Sequence, residues 1–100
     1  MYSPEADTGT ERRTLKLTMV NRRGLHARAA AKFVRIADGY GCDIVVSKDG
    51  HTVSGRSIMG LLMLAAPHGS SVDVVLEGED AGPAASEIAA LVEDGFGERD

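Results

Sequence analysis

The chain has 100 residues, of which 43% are hydrophobic and 4% aromatic, and its formal net charge is −4. That length suits one domain with a single modest core. The mildly acidic balance argues against nucleic acid as a partner, because a phosphate backbone needs a basic face. Cys42 is the only cysteine, so an internal disulfide is excluded and a reducing cytosol is compatible.

The chain begins with Ser, Pro, Glu, Asp, Thr, Gly and Arg and almost nothing apolar after Tyr2. Residues 1–13 therefore read as a disordered extension. They carry no positive-then-apolar signal pattern, and no apolar run nears membrane-spanning length. No membrane partner is expected, and a soluble cytoplasmic protein is the default.

From Thr14 to Asn21, Leu15, Leu17 and Met19 alternate with Lys16 and Thr18, as in a half-buried strand. Arg22-Arg23-Gly24 turns the chain. Ala27 to about Asp38 is helical, with Ala30, Phe33, Val34 and Ala37 at helical spacing, and Gly39 and Gly41 stop it. Cys42, Ile44 and Val46 mark a second strand. Asp49-Gly50 is a hairpin signal, since both turn positions need positive φ, and His51 to Gly55 is the return strand. Ser57 to about Ala66 forms a short apolar helix capped by the Ser57 hydroxyl, and Pro67-His68-Gly69 breaks it. Val72, Val74 and Leu76 give a fourth strand. Pro83 suits the first turn of a last helix, with Ala84, Ile88, Leu91 and Val92 on its buried face and Gly95 at its end. Residues 96–100 read as a flexible, frayed tail.

This order is βαββαβα. Each helix has one apolar face, so the simplest packing lays all three on one side of the sheet. The expected class is α+β, a two-layer open-faced sandwich.

One stretch carries chemistry: Gly24-Leu25-His26-Ala27-Arg28, followed by small residues. His26 stands where a helix begins. The first N–H groups of a helix lack internal partners and the dipole there is positive, which favours anions and phosphate above all. The backbone of Ala27 and Arg28 would offer these donors. A titratable imidazole at such a place, with Arg28 two residues on, suggests a phosphate carried on histidine. The residues alone leave open a surface histidine that merely precedes a helix. The basic residues Arg12, Arg13, Arg22, Arg23, Arg28, Lys32 and Arg35 all lie in the first third of the chain, which suits a phosphate site or an acidic protein partner.

The His26 block resembles the active-site signature of HPr, the histidine phosphocarrier of the phosphoenolpyruvate-dependent phosphotransferase system. A second block, Gly55-Arg56-Ser57-Ile58-Met59-Gly60-Leu61-Leu62-Met63-Leu64, resembles that family's regulatory-serine helix. The resemblance spans roughly Thr14 to Gly95, an HPr-like domain over residues 14–95. It implies an antiparallel four-stranded sheet. It implies that His26 is phosphorylated through its δ nitrogen and that Arg28 assists. It makes the chain a relay between phosphotransferase enzymes and not an enzyme itself. The partners implied are the general phosphoenolpyruvate-protein phosphotransferase, EIIA-type acceptor domains, and an HPr serine kinase acting on Ser57. Ile58, Met59 and the exposed side of Leu62 would form the docking face; from spacing alone, these residues and Met63 could equally all be core. Two features depart from the family: Ala29 stands where proline is usual, and Arg22-Arg23 replaces a small or polar approach to the glycine.

Three other readings stay open at this level. The carrier could serve a regulatory phosphorelay in nitrogen or carbon control instead of sugar uptake. It could be a protein-binding regulator with an idle histidine. A hydrolase using His26, Ser57 and an acid would need a deep pocket that a two-layer domain with few aromatics rarely builds. Neither a cofactor nor a metal is expected, because His26, His51, His68 and Cys42 lack ligand spacing.

Overall fold

The computed structural model describes residues 11–98. The elements in chain order are β1 (Arg12–Thr18), α1 (Ala27–Asp38), β2 (Asp43–Lys48), β3 (His51–Ser54), α2 (Ile58–Met63), β4 (Ser71–Glu77) and α3 (Ala81–Glu93), followed by a 3₁₀ turn at Gly95–Gly97. The four strands form one sheet in the order β1-β4-β2-β3, and every neighbouring pair is antiparallel. The helices cover one face, giving the two-layer α+β sandwich that the alternation and the amphipathic helices predict.

The core follows from the strand period of two. Leu17, Ile44, Val46, Val72, Val74 and Leu76 point to the covered face and are buried. They meet Ala30, Phe33 and Ala37 of α1, Leu61 of α2, and Ala81, Ala84, Ile88 and Val92 of α3. Small alanines at the helix contacts let α1 and α3 lie close to the sheet. The opposite face carries Lys16 opposite Asp73 and Arg12 opposite Glu77, and it stays exposed. The hairpin behaves as its sequence demands: Asp49 has φ 52° and Gly50 has φ 84°.

Two boundaries and one helix cap differ from the sequence expectation. The first strand begins at Arg12, so Arg12 and Arg13 belong to β1, paired with Glu77 and Leu76, and not to a disordered extension. Residues 1–10 of that extension lie outside the described residues. The second helix ends at Met63 instead of Ala66; Leu64 caps it, and Ala65 turns away with φ 51°. Gly39 ends α1 in a right-handed conformation, donating its N–H to the Ile36 carbonyl at 2.9 Å, so it does not use the left-handed freedom usual for a glycine cap.

The largest correction is the tail. Phe96 is fully buried and belongs to the core, with the following residues laid back over the domain. It adopts φ 58°, between Gly95 and Gly97, which also have positive φ. Lys32 fastens this turn by donating from Nζ to the Phe96 carbonyl at 2.6 Å. Among the described residues the tail packs against the domain through Glu98; residues 99–100 lie outside them. No helix among the described residues is long and apolar enough to cross a membrane.

Candidate functional site

The site begins with Gly24. Its φ of 63° turns the chain from β1 toward α1. A Cβ built there would lie 2.2 Å from the Ala66 carbonyl oxygen, so the absence of a side chain is required twice over. The close approach lets Leu25 donate its N–H to that same oxygen at 2.8 Å, while the Leu25 side chain is buried. His26 follows as the N-cap residue of α1, with φ −84° and ψ −177°. Its carbonyl accepts the Ala30 N–H at 2.8 Å.

The imidazole is held at both ends. Its Nδ1 accepts the Arg28 N–H at 3.3 Å, an N-cap bond made by a ring nitrogen. Its Nε2 is hydrogen-bonded to Oε2 of Glu98. The ring is therefore half-buried, its side chain 19% exposed, and not fully open as a bare helix start would be. The other Glu98 oxygen, Oε1, accepts from Nδ2 of Asn21 at 2.9 Å, and that same Nδ2 donates to the Gly24 carbonyl at 2.8 Å. Asn21 is buried. The hydrogen bond from Asn21, with smaller contributions from His26 and Lys32, holds the Glu98 carboxyl below its ordinary range, against the opposing effect of desolvation.

Arg28 is exposed, and its guanidinium makes no ion pair or hydrogen bond among the described residues. Arg28, Lys32 and Arg35 are spaced to share one face of α1, and Arg22 and Arg23 are exposed just before the site. The backbone N–H groups of Ala27 and Ala29 have no partner among the described residues, as expected in a first helical turn. An anion placed beside Nδ1 would meet these donors, the Arg28 N–H and the surrounding positive charge.

The second block is built separately. Ser57 caps α2, its Oγ accepting the Gly60 N–H at 2.9 Å. Arg56 ties this helix start to the far end of α1, Nη2 donating to the carbonyls of Ala37, Tyr40 and Cys42 at 2.7–2.9 Å. The other end of α2 leads to Ala66, whose carbonyl meets Leu25 beside the histidine. The two helices thus run past one another in opposite directions, with Ser57 and His26 each at a helix start and therefore toward opposite ends of the pair. Among the described residues no hydrogen bond joins His26 to Ser57, as a hydrolase pair would require; the ring is bonded to Glu98 and the Arg28 N–H, and Ser57 Oγ to the Gly60 N–H.

The core residue of α2 is Leu61, fully buried. Ile58 and Met59 are exposed, 41% and 67% respectively, Leu62 is half-buried, and Met63 is the most exposed at 76%. The residues expected to form a docking face, Ile58, Met59 and Leu62, are thus at least partly exposed, and Met63 joins them in one apolar patch.

The remaining candidates do not join the site as ligands. Cys42 is buried, and desolvation pushes its thiol up. His51 is exposed at the hairpin, and His68 turns Nδ1 toward the Asn21 carbonyl. Among the described residues no group of three or more His, Cys, Asp or Glu side chains is placed to hold a metal ion. Sequence reasoning missed Glu98 and Asn21. Only the pairing of an asparagine before the turn with a glutamate in a glycine-spaced tail hinted at them.

Comparison with known proteins bears on this arrangement. Residues 14–94 match the family model described as the PTS HPr component phosphorylation site. The chain is 41% identical over 85 residues to a phosphocarrier protein HPr of Pseudomonas aeruginosa, covering 84% of this chain and 94% of that one. It is 41% identical over 81 residues to the HPr of Cupriavidus necator, covering 81% and 91%. Among solved structures, an HPr of Thermoanaerobacter tengcongensis superposes with a TM-score of 0.84 at 36% identity, covering 88% of this chain and 99% of that one.

Proposed function

This chain belongs to the HPr family of phosphocarrier proteins, and we propose that His26 is the residue on which it carries the phosphoryl group. The observation that carries this assignment is the two-ended hold on the imidazole. A carboxylate can only accept a hydrogen bond, so the proton between His26 and Glu98 sits on Nε2. The Arg28 N–H can only donate, so Nδ1 presents a lone pair. The nitrogen at the helix N-terminus is therefore the nucleophile.

In the transfer step the Nδ1 lone pair attacks the phosphorus held by the donor. The Nδ1–P bond forms as the bond from phosphorus to the donor's leaving atom breaks. The Nε2 proton stays, so the ring becomes a cation facing the Glu98 carboxylate. The Arg28 N–H moves from Nδ1 to a phosphate oxygen, and the unpaired N–H groups of Ala27 and Ala29 and the Arg28 guanidinium are near enough in sequence to assist. The 3.3 Å Arg28–Nδ1 contact is long for a hydrogen bond, so giving it up costs little.

The donor in this reading is the general phosphoenolpyruvate-dependent phosphotransferase, and the acceptors are EIIA-type domains in the cytoplasm. The chain relays the group and has no catalytic turnover of its own. Partners dock over Ile58, Met59 and Leu62, where flexible methionines adapt to more than one surface. The exposed basic residues of α1 steer acidic partners. Ser57 is the regulatory phosphorylation site: a phosphate there stays beside the α2 N-terminus and alters docking without touching His26.

The test is incubation with a general phosphotransferase enzyme and labelled phosphoenolpyruvate. The parent takes up acid-labile label, and His26→Ala takes up none while keeping its far-UV circular dichroism. Undiminished labelling of folded His26→Ala would overturn the assignment.

A further inference from the structure

The tail contact has a consequence beyond carrying phosphate. We propose that Glu98 is a positioning residue that, oriented by Asn21, locks His26 in the Nε2–H tautomer and so dictates which ring nitrogen is phosphorylated. The proposal rests on His26 as the phosphorylated residue, and its spectroscopic test does not.

Three hydrogen bonds link Gly24, Asn21, Glu98 and His26. The Asn21 carboxamide cannot flip, because its Nδ2 donates at once to the Gly24 carbonyl at 2.8 Å and to Glu98 Oε1 at 2.9 Å. Glu98 is thereby held with Oε2 at the imidazole. Its side chain is 9% exposed, so water does not compete freely for that oxygen. Upstream, the turn around Gly24 is fixed by the Leu25–Ala66 backbone bond. Downstream, the tail is anchored by buried Phe96 and by Lys32 on the Phe96 carbonyl. The acceptor at Nε2 and the donor at Nδ1 thus both belong to rigid parts of the fold. A free imidazole exchanges its proton between the two nitrogens; this one has only one arrangement that satisfies both neighbours.

The same network makes Glu98→Gln an inverting probe instead of a mere deletion. In the variant, the amide oxygen must face the Asn21 donor, because an NH₂ group there would oppose another NH₂ group. The amide NH₂ then faces Nε2, which must accept. The proton moves to Nδ1, where it confronts the Arg28 N–H. Glu98→Ala removes the acceptor and leaves Nε2 to water, with only the Arg28 N–H at Nδ1 to bias the ring.

The experiment uses the full chain with ¹⁵N-labelled histidine, observed by long-range ¹H–¹⁵N correlation at a pH where His26 is neutral. His26 of the parent should show a protonated Nε2 and an unprotonated Nδ1. Glu98→Gln should shift the ring toward the Nδ1–H form, and Glu98→Ala should fall between. In parallel, phosphoramidate serves as a small-molecule donor that needs no docking. Its P–N bond breaks, ammonia leaves with a proton, and a histidine N–P bond forms. ³¹P and ¹⁵N spectra of the product should show the Nδ1 isomer in the parent and a growing share of the Nε2 isomer in Glu98→Gln, with Nδ1 labelling slowed by about tenfold or more. Identical tautomer ratios in the parent and Glu98→Gln, with both folded, would overturn the proposal. So would an unchanged product isomer. A parent with the expected tautomer that takes label elsewhere than His26 would refute the carrier residue and leave the tautomer lock standing.

Discussion

Replacing Gly24 by alanine tests whether the approach to His26 depends on backbone contact or only on turn flexibility. Two costs fall on the variant. The left-handed φ of 63° costs a residue with a Cβ roughly 1–2 kcal/mol. The new Cβ would also lie 2.2 Å from the Ala66 oxygen and 2.8 Å from two Pro67 backbone atoms. Backbone cannot rotate away as a side-chain tip can, so the two segments must separate. Separation loses the Leu25–Ala66 hydrogen bond, about 1 kcal/mol net. The expected loss of stability is about 2–3 kcal/mol, the sum of the conformational cost and the lost hydrogen bond. Gly50→Ala is the matched control: its φ is 84°, yet nothing lies within 4 Å of a Cβ there, so only the conformational cost of roughly 1–2 kcal/mol applies. Urea titration of the three proteins, read as midpoints at a common slope, measures the difference. A loss no greater in Gly24→Ala than in Gly50→Ala would refute the contact argument. Phosphorylation of His26 should also slow in Gly24→Ala and not in Gly50→Ala, since only the former displaces the N-cap.

Three further outcomes are expected. Phe96→Ala should destabilise the domain by about 3–5 kcal/mol, because the ring is fully buried, and a loss under about 1 kcal/mol in chemical denaturation would mean that the tail does not belong to the core. Ser57→Ala should cost about 1 kcal/mol through the lost cap to the Gly60 N–H, and Ser57→Asp should slow phosphorylation by a protein donor at low salt but not by phosphoramidate; equal slowing with both donors would contradict an effect through docking. The Glu98 carboxyl is depressed in the folded state, so its contribution is complete above the unfolded value near 4.3 and is lost as pH falls through the lower folded value. Melting temperature between about pH 5 and pH 2 should therefore fall less steeply in Glu98→Gln than in the parent, and parallel curves would refute the depression.

Much of the protein was legible in the order of its residues. Alternation at Leu15–Met19, Cys42–Val46 and Val72–Leu76 located strands, because a period of two has only one structural meaning when one face is buried. Asp49-Gly50 determined the hairpin, since few residues tolerate positive φ. The helix from Ala27 to Asp38, the Ser57 cap, and the placing of His26 at a helix start were equally local matters, settled within a few residues of chain. Where local signals weakened, so did the reading. Every side of α2 is apolar and the helix is only six residues long, so its periodicity could not show that Leu61 is core while Met63 stands out. Arg12 and Arg13 are polar residues on an edge strand, joined to β4 by backbone bonds that leave no mark in composition.

The tail shows the limit most clearly. Residues around Phe96 look like a frayed end, because glycine and charge usually signal one. Only the packed domain offers a cavity for the ring, and only burial of that ring brings Glu98 to a histidine 72 positions earlier in the chain. A phosphate-carrying role for His26 was thus suggested by its own neighbours and by the family resemblance. The hydrogen bond between its Nε2 and Glu98 was not, because that contact exists only after the sheet has formed and the chain end has folded back.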